Sequence, residues 1–177
     1  MTQPEISQKQ KLRVLIADDI QETRRNTRLM LATIDDVEVV AIAANGVQAL
    51  QLAKEHHPDL VLLDINMPEM DGLTAYREIA KIHPEIGCSI ISAEKDPATF
   101  RVAISIGVQE YLIKPFTVDE LEAAITRGRE RVSHNRAKLA QDVFGGPRRR
   151  AGRAHSRAQV GEPRNEPLPA VLVPEPA

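Results

Sequence analysis

The sequence is short of cysteine, of aromatic residues and of long apolar runs, and each shortage excludes a class of protein. The only cysteine is Cys88, so an intrachain disulfide is excluded. Aromatic residues make up 3% of the chain, so a core drawn from its 42% hydrophobic residues must be mostly aliphatic. No apolar run reaches the roughly 18 residues that a membrane-spanning helix needs. The polar start MTQPEISQKQK also lacks the apolar stretch of a secretory signal. We therefore expect a soluble, cytoplasmic protein.

Two kinds of ligand motif are missing as well. The chain has neither a GxGxxG fingerprint nor a Walker pattern, so we predict neither dinucleotide binding nor nucleotide hydrolysis. The histidines do not show the spacing of a metal site. His56 and His57 fall at a predicted helix end, where a cation suits the helix dipole, and His83 stands apart from them in the sequence.

Charge divides the chain into an acidic body and a basic end. Residues 1–126 carry 12 Lys and Arg against 20 Asp and Glu, whereas residues 127–177 carry 11 against 5. Beyond about residue 140 the sequence is rich in Arg, Pro, Gly and Ala, and it has no apolar periodicity. Such composition predicts a disordered, basic, Pro- and Arg-rich C-terminal tail. Residues 1–10 are predicted to form a disordered arm.

Between these ends, apolar runs and helical patterns alternate. The predicted strands are 12–17, 37–44, 60–63, 88–91 and 110–113. The predicted helices are 21–33, 47–56, 72–82, 98–106 and a last helix that begins at a Thr117–Glu120 capping box and reaches about residue 140. Strict alternation predicts a parallel sheet with helices on both faces. The candidate fold is a flavodoxin-like (βα)5 doubly wound α/β sheet with strand order 2-1-3-4-5.

Four of the five predicted strands end on charged or hydroxyl residues. These are Asp18 and Asp19 after the first strand, Asp64 after the third, Ser92 after the fourth and Lys114 after the fifth. In this fold, ligands bind at the carboxyl edge where the strand order reverses. Three clustered carboxylates repel one another, so we expect a divalent cation that prefers oxygen ligands, Mg²⁺ or Mn²⁺. A carboxylate can also act as a nucleophile and carry a phosphoryl group, whose charge a metal and a lysine would neutralise.

Four segments carry a resemblance to a known family: ADD at 17–19, LVLLDINMPEMDG at 60–72, IISA at 90–93 and YLIKPF at 111–116. Together they resemble the CheY-like receiver domain of response regulators in two-component signal transduction, over about residues 11–130. We accordingly expect a receiver domain at 11–133 and a helix extension with a low-complexity tail at 134–177.

The resemblance implies a phosphoacceptor and a metal site. Asp64 would take the phosphoryl group. Asp19 and Asp64 would bind Mg²⁺ directly, together with the backbone carbonyl of Asn66, and Asp18 would hold a metal-bound water.

The resemblance also implies how phosphorylation is detected and passed on to a partner. Lys114 would contact the phosphoryl group, with a cis peptide before Pro115, and Ser92 and Tyr111 would form the switch pair. The chain would be a signalling module rather than an enzyme, with Mg²⁺-dependent self-phosphorylation and autodephosphorylation. A histidine kinase or phosphotransfer protein would supply the phosphoryl group. The resulting conformational change would be recognised by an output protein or by a second copy of the chain. The second copy would bind through the fourth helix, fifth strand and fifth helix.

The same residues allow other interpretations. Asp18 and Asp19 could be a helix N-cap pair. A haloacid-dehalogenase-like phosphatase requires two acids as DxDx(T/V), whereas here Asp64 is followed by Ile-Asn66-Met. A transcription factor would need a DNA-binding domain, and the stretch after the receiver shows no helix-turn-helix pattern. The alternative function is a transcription or nucleic-acid-linked regulator that acts through the basic tail.

Overall fold

A computed structural model of the chain describes residues 10–93 and 95–144. Residues 1–9 of the predicted arm, and the predicted tail from residue 145 onward, lie outside the described residues. Strands and helices alternate in the order β1 (Leu12–Ala17), α1 (Gln21–Leu31), β2 (Val37–Ala43), α2 (Gly46–His56), β3 (Leu60–Asp64), α3 (Gly72–Ile82), β4 (Gly87–Ser92), α4 (Pro97–Ser105), β5 (Glu110–Ile113) and α5 (Val118–Phe144).

The five strands form one parallel sheet in the order β2-β1-β3-β4-β5. The predicted flavodoxin-like architecture is therefore confirmed. The order reverses at β1, which pairs with both β2 and β3. Because all strands run the same way, their carboxyl ends share one edge of the sheet, and the residues that follow β1, β3, β4 and β5 meet there.

The sheet is buried on both faces, which explains why its strands are continuous apolar runs. Successive residues of a strand point to opposite faces. Leu15 and Leu63 accordingly belong to one core cluster, shared with α2, α3 and α4, and Val14 and Leu62 belong to another, shared with α1 and α5. All four side chains are fully buried.

Side-chain caps set where the helices begin. Asn45, Asp71 and Asp96 precede α2, α3 and α4, and each accepts a hydrogen bond from a backbone N–H in the first helical turn. The predicted capping box before α5 is confirmed: the Thr117 N–H donates to Glu120 Oε2 at 2.8 Å, and the Glu120 N–H donates to Thr117 Oγ1 at 3.2 Å.

The last helix continues to Phe144, a few residues beyond the predicted end near residue 140. Its internal glycine, Gly128, lies where the helix crosses Leu60 of β3. A Cβ atom on Gly128 would stand 3.0 Å from Leu60 Cδ1. The absence of a side chain therefore lets α5 pack closely on the sheet, which explains a glycine in the middle of a long helix.

Candidate functional site

Three carboxylates converge at the carboxyl edge of the sheet. Asp18 and Asp19 follow β1, and Asp64 is the last residue of β3. One oxygen from each of them lies within 4.8 Å of the other two. Asp18 is 3% exposed and Asp64 is 5% exposed, while Asp19 faces solvent. Two of the three charges are thus held away from water, where mutual repulsion is weakly screened.

Backbone contacts fix the position of Asp18. Its N–H donates to the Ala43 carbonyl at 3.2 Å, and its Oδ1 accepts from the Ile20 N–H at 2.9 Å. Its carbonyl oxygen accepts from Arg24 Nη1 at 2.5 Å. The N-cap of α1 is Ile20, without a side-chain cap. The interpretation of Asp18 and Asp19 as an N-cap pair is therefore wrong, because neither residue occupies that position. Sequence reasoning missed Arg24, since no local pattern ties it to Asp18.

Lys114 brings a positive charge to the acidic cluster. Its Nζ lies 2.6 Å from Asp18 Oδ2 and 3.1 Å from Asp64 Oδ1. The peptide bond between Lys114 and Pro115 is cis, as the resemblance implied. Burial lowers the pKa of Lys114, but the hydrogen bonds and charges of Asp18 and Asp64 outweigh it, so the pKa lies above its usual 10.5. Lys114 therefore stays charged.

The pKa of Asp64 reflects its burial and its charged neighbours. Burial raises its pKa above the ordinary 3.8, the charges of Asp18 and Asp19 add to the rise, and Lys114 opposes it. One ammonium cannot neutralise three carboxylates, so the group carries excess negative charge. A divalent cation with oxygen ligands would remove that excess, and the donor set fits Mg²⁺ or Mn²⁺.

The loop after Asp64 closes tightly on the site. The Gly72 N–H donates to the Ile65 carbonyl at 3.0 Å. A Cβ atom on Gly72 would stand 2.0 Å from the carbonyl oxygen of Asp64, closer than any real contact. Only glycine therefore allows α3 to begin directly behind Asp64. The Asp71–Gly72 pair in the motif was the signal that could have identified this role. Asn66 lies in the same loop and is exposed.

The loop between β2 and α2 contacts the loop that follows β3. Asn45 Nδ2 donates to Glu69 Oε1 at 2.9 Å, and the Gly46 N–H donates to the Met70 carbonyl at 3.1 Å. Glu69 has a left-handed backbone with φ of 66°. The start of α2 and the loop after β3 therefore hold each other in place next to the carboxylates. Sequence reasoning did not identify this contact.

The sequence matches the response regulator receiver domain family over residues 14–126. This chain belongs to that family. It is 41% identical over 115 residues to the chemotaxis protein CheY of Bacillus subtilis, covering 65% of this chain and 95% of CheY. It is 32% identical over 133 residues to the probable C4-dicarboxylate response regulator DctR of Halalkalibacterium halodurans, covering 74% of this chain and 58% of DctR. The chain thus spans little more than half of some relatives, such as DctR, and nearly all of CheY.

Solved receivers share the same fold. The signal receiver domain of the putative response regulator NarL from Mycobacterium tuberculosis superimposes with a TM-score of 0.63 at 33% identity, covering 66% of this chain and 94% of that chain. A CheX-CheY-BeF3-Mg²⁺ complex from Borrelia burgdorferi gives a TM-score of 0.62 at 26% identity, covering 65% and 87%. None of the helices in the described part of this receiver is both long and apolar enough to cross a membrane.

Ser92 and Tyr111, the expected switch pair, lie on neighbouring strands of the receiver. Ser92 ends β4, is fully buried, and its carbonyl accepts from the Lys114 N–H at 2.8 Å. Tyr111 pairs with Ile90, two residues before Ser92. Its half-buried ring packs edge-to-face against Phe100 of α4, with centroids 5.5 Å apart. Ser92 therefore lies at the edge that carries the carboxylates, and Tyr111 lies against α4.

The surface formed by α4 and β5 is largely apolar. Phe100 is 47% exposed and Ile104 is 50% exposed, both on α4. Phe100 and Tyr111 line a groove of about 370 Å³ between α4 and β5, together with Lys95, Asp96, Pro97 and Ile113.

Proposed function

We propose that the chain is a phosphorylation-controlled signalling module in which Asp64 accepts a phosphoryl group from a histidine kinase or phosphotransfer protein. The observation that carries this proposal is the position of Asp64. Its buried carboxylate lies among Asp18, Asp19 and Lys114 at the carboxyl edge of the sheet.

Asp18, Asp19, Asp64 and the backbone carbonyl of Asn66 would hold Mg²⁺ or Mn²⁺. The fit rests on three clustered carboxylates with a single ammonium against them. When bound, the ion would neutralise charge on the transferring phosphoryl group. Asp19 is the exposed member of the cluster, so its carboxylate is the one that can reach an ion arriving from solvent.

Among the residues around Asp64, Lys114 would prepare it to react. An Asp64 carboxylate oxygen forms the bond to phosphorus, while the bond from phosphorus to the donor nitrogen or oxygen breaks and the leaving group keeps that electron pair. The nucleophile must be ionised, which burial and the two neighbouring carboxylates oppose. Lys114 favours the ionised form, and its Nζ lies within 3.1 Å of Asp64 Oδ1. The same ammonium would therefore pair with a phosphoryl oxygen.

Phosphorylation would be read through Ser92 and Tyr111. The Ser92 side chain would bond a phosphoryl oxygen, and the Tyr111 ring would turn in response, shifting the population between two packings. The change would reach α4, β5 and α5, where an output protein or a second copy of the chain would bind. The apolar groove beside Phe100 and Tyr111 supports this route.

Labelling with a small-molecule phosphodonor and Mg²⁺ tests the proposal. The protein should gain one hydroxylamine-labile phosphoryl group, detected by intact mass, and an excess of chelator should prevent it. Asp64→Asn should abolish the gain. Asp71→Asn is the matched control, because it removes the same charge in the same motif and asparagine caps a helix as well as aspartate. Equal labelling of Asp64→Asn and wild type would exclude Asp64 as the acceptor.

A second function, contact with nucleic acid, rests on the charge of the chain end. Residues 127–177 carry 11 Lys and Arg against 5 Asp and Glu. Arg148–Arg150, Arg153 and Arg157 lie outside the described residues. A chain truncated after Phe144 should lose any retardation of DNA at low salt that the full chain causes, while its phosphorylation rate stays unchanged.

A further inference from the structure

Two histidines distant in the sequence meet at the opposite edge of the sheet from Asp64. His57 is the residue that ends α2, and His83 is the residue that ends α3. Their rings are in edge-to-face contact, with centroids 4.8 Å apart and planes at 89°. His83 Nδ1 also lies 3.5 Å from Glu85 Oε1. Two imidazoles and a carboxylate therefore gather where the two helices end.

We propose that His57, His83 and Glu85 form a second metal site, selective for Zn²⁺ and separate from the carboxylate cluster. Imidazole nitrogens favour zinc and similar transition-metal ions, whereas all-oxygen sites favour Mg²⁺. Two imidazoles and one carboxylate leave a coordination position for water, as zinc sites with three protein ligands do.

The spacing of the rings fits a shared ion. With Zn–N distances of about 2.0–2.1 Å and tetrahedral angles, two imidazoles on one zinc have centroids roughly 5 Å apart. The observed 4.8 Å is close to that separation, but the rings pack edge-to-face at 89°, so they must turn before a nitrogen of each faces the same ion. Among the described residues, a ready-made trio of ligand atoms exists only at Asp18, Asp19 and Asp64. The side chains must therefore rotate to complete the new site. They have room to do so, because His57 is exposed and the Glu85 side chain is 34% exposed.

Charges of both signs surround the proposed site. The carboxyl end of a helix carries partial negative charge, and here the ends of α2 and α3 converge beside Glu85, which together attract a cation. Lys81 is paired with Glu78 at 2.6 Å, whereas Arg13 Nη1 donates to the His57 carbonyl oxygen at 3.3 Å and keeps its charge, so it opposes part of that attraction.

Calorimetric titration of the untagged full-length protein with Zn²⁺, in excess Mg²⁺ so that the carboxylate cluster is occupied, tests the site. We expect one zinc per chain. Replacing both histidines, His57→Gln with His83→Gln, should weaken binding at least about tenfold, since even residues that only orient a metal ligand change affinity by about 10–100-fold. Glu85→Gln should weaken it less.

The matched control replaces two other histidines, His134→Gln with His155→Gln, and should bind zinc as wild type does. His56→Gln should also leave binding unchanged, although it neighbours His57. NMR shifts on zinc addition should centre on the rings of His57 and His83. Undiminished binding by the His57→Gln/His83→Gln variant, loss of binding in Asp19→Asn, or no binding by wild type would each overturn the proposal.

Discussion

Replacing Gly72 by alanine should strongly destabilise this receiver. The added Cβ would lie 2.0 Å from the carbonyl oxygen of Asp64, whereas real Cβ contacts stay beyond 3.0 Å. The loop or β3 must therefore move by about 1 Å, and both sides of the contact are backbone. Overpacking costs typically about 1–3 kcal/mol, and we expect the upper end, about 3 kcal/mol. For a domain of this size, that loss lowers Tm by roughly 10 °C.

The assay is thermal and urea denaturation, with the phosphorylation rate of Asp64 as a second readout. Gly128→Ala is the matched control. Its Cβ would meet the Leu60 side chain at 3.0 Å, and a side chain can yield where backbone cannot. The gain of about 1 kcal/mol in helix propensity offsets part of this crowding, so Gly128→Ala should cost clearly less stability than Gly72→Ala. A Gly72→Ala protein that melts within a few degrees of wild type and is phosphorylated at the same rate would refute the reasoning.

Other predictions concern single contacts. Asn45→Ala removes the N-cap of α2 and should lower the free energy of unfolding by about 1 kcal/mol in urea denaturation. Asp59→Ala leaves the partly buried N–H of Arg13 and the side chain of Arg136 without their carboxylate partner, and should cost about 1–3 kcal/mol. Arg136→Met should cost less, because the arginine side chain is 50% exposed. Burial raises the pKa of Tyr76 to about 12. The stability that its neutral form contributes should be complete below pH 10 and disappear as pH rises to about 12; a spectrophotometric titration should lose that late step in Tyr76→Phe. Asp19→Ala should lower both Mg²⁺ affinity and labelling rate, and an unchanged rate would contradict the metal site.

The fold and the candidate site were predicted mainly from the apolar runs and from the polar residues that follow them. The run LVLL must be buried on both faces of a sheet, because every residue in it is apolar. Strict alternation with helices then forces parallel strands, and parallel strands bring Asp18, Asp64 and Lys114 to one edge whatever the details of packing. In the structure, Lys114 Nζ lies within hydrogen-bonding distance of both Asp18 and Asp64. Their roles in phosphoryl transfer stay predictions until the labelling experiment is done.

Contacts between side chains on different elements required the tertiary structure. The contact of His57 with His83, the approach of Gly72 to Asp64 and the hydrogen bond from Arg24 to Asp18 depend on how far each helix slides and rotates on the sheet. The apolar faces of the helices fix only which side is buried, because hydrophobic burial is non-directional. The sequence by itself therefore determined the sheet, its order and the edge that carries the carboxylates. The tertiary structure decided which side chains touch, because close packing of particular residues sets the final position of each helix.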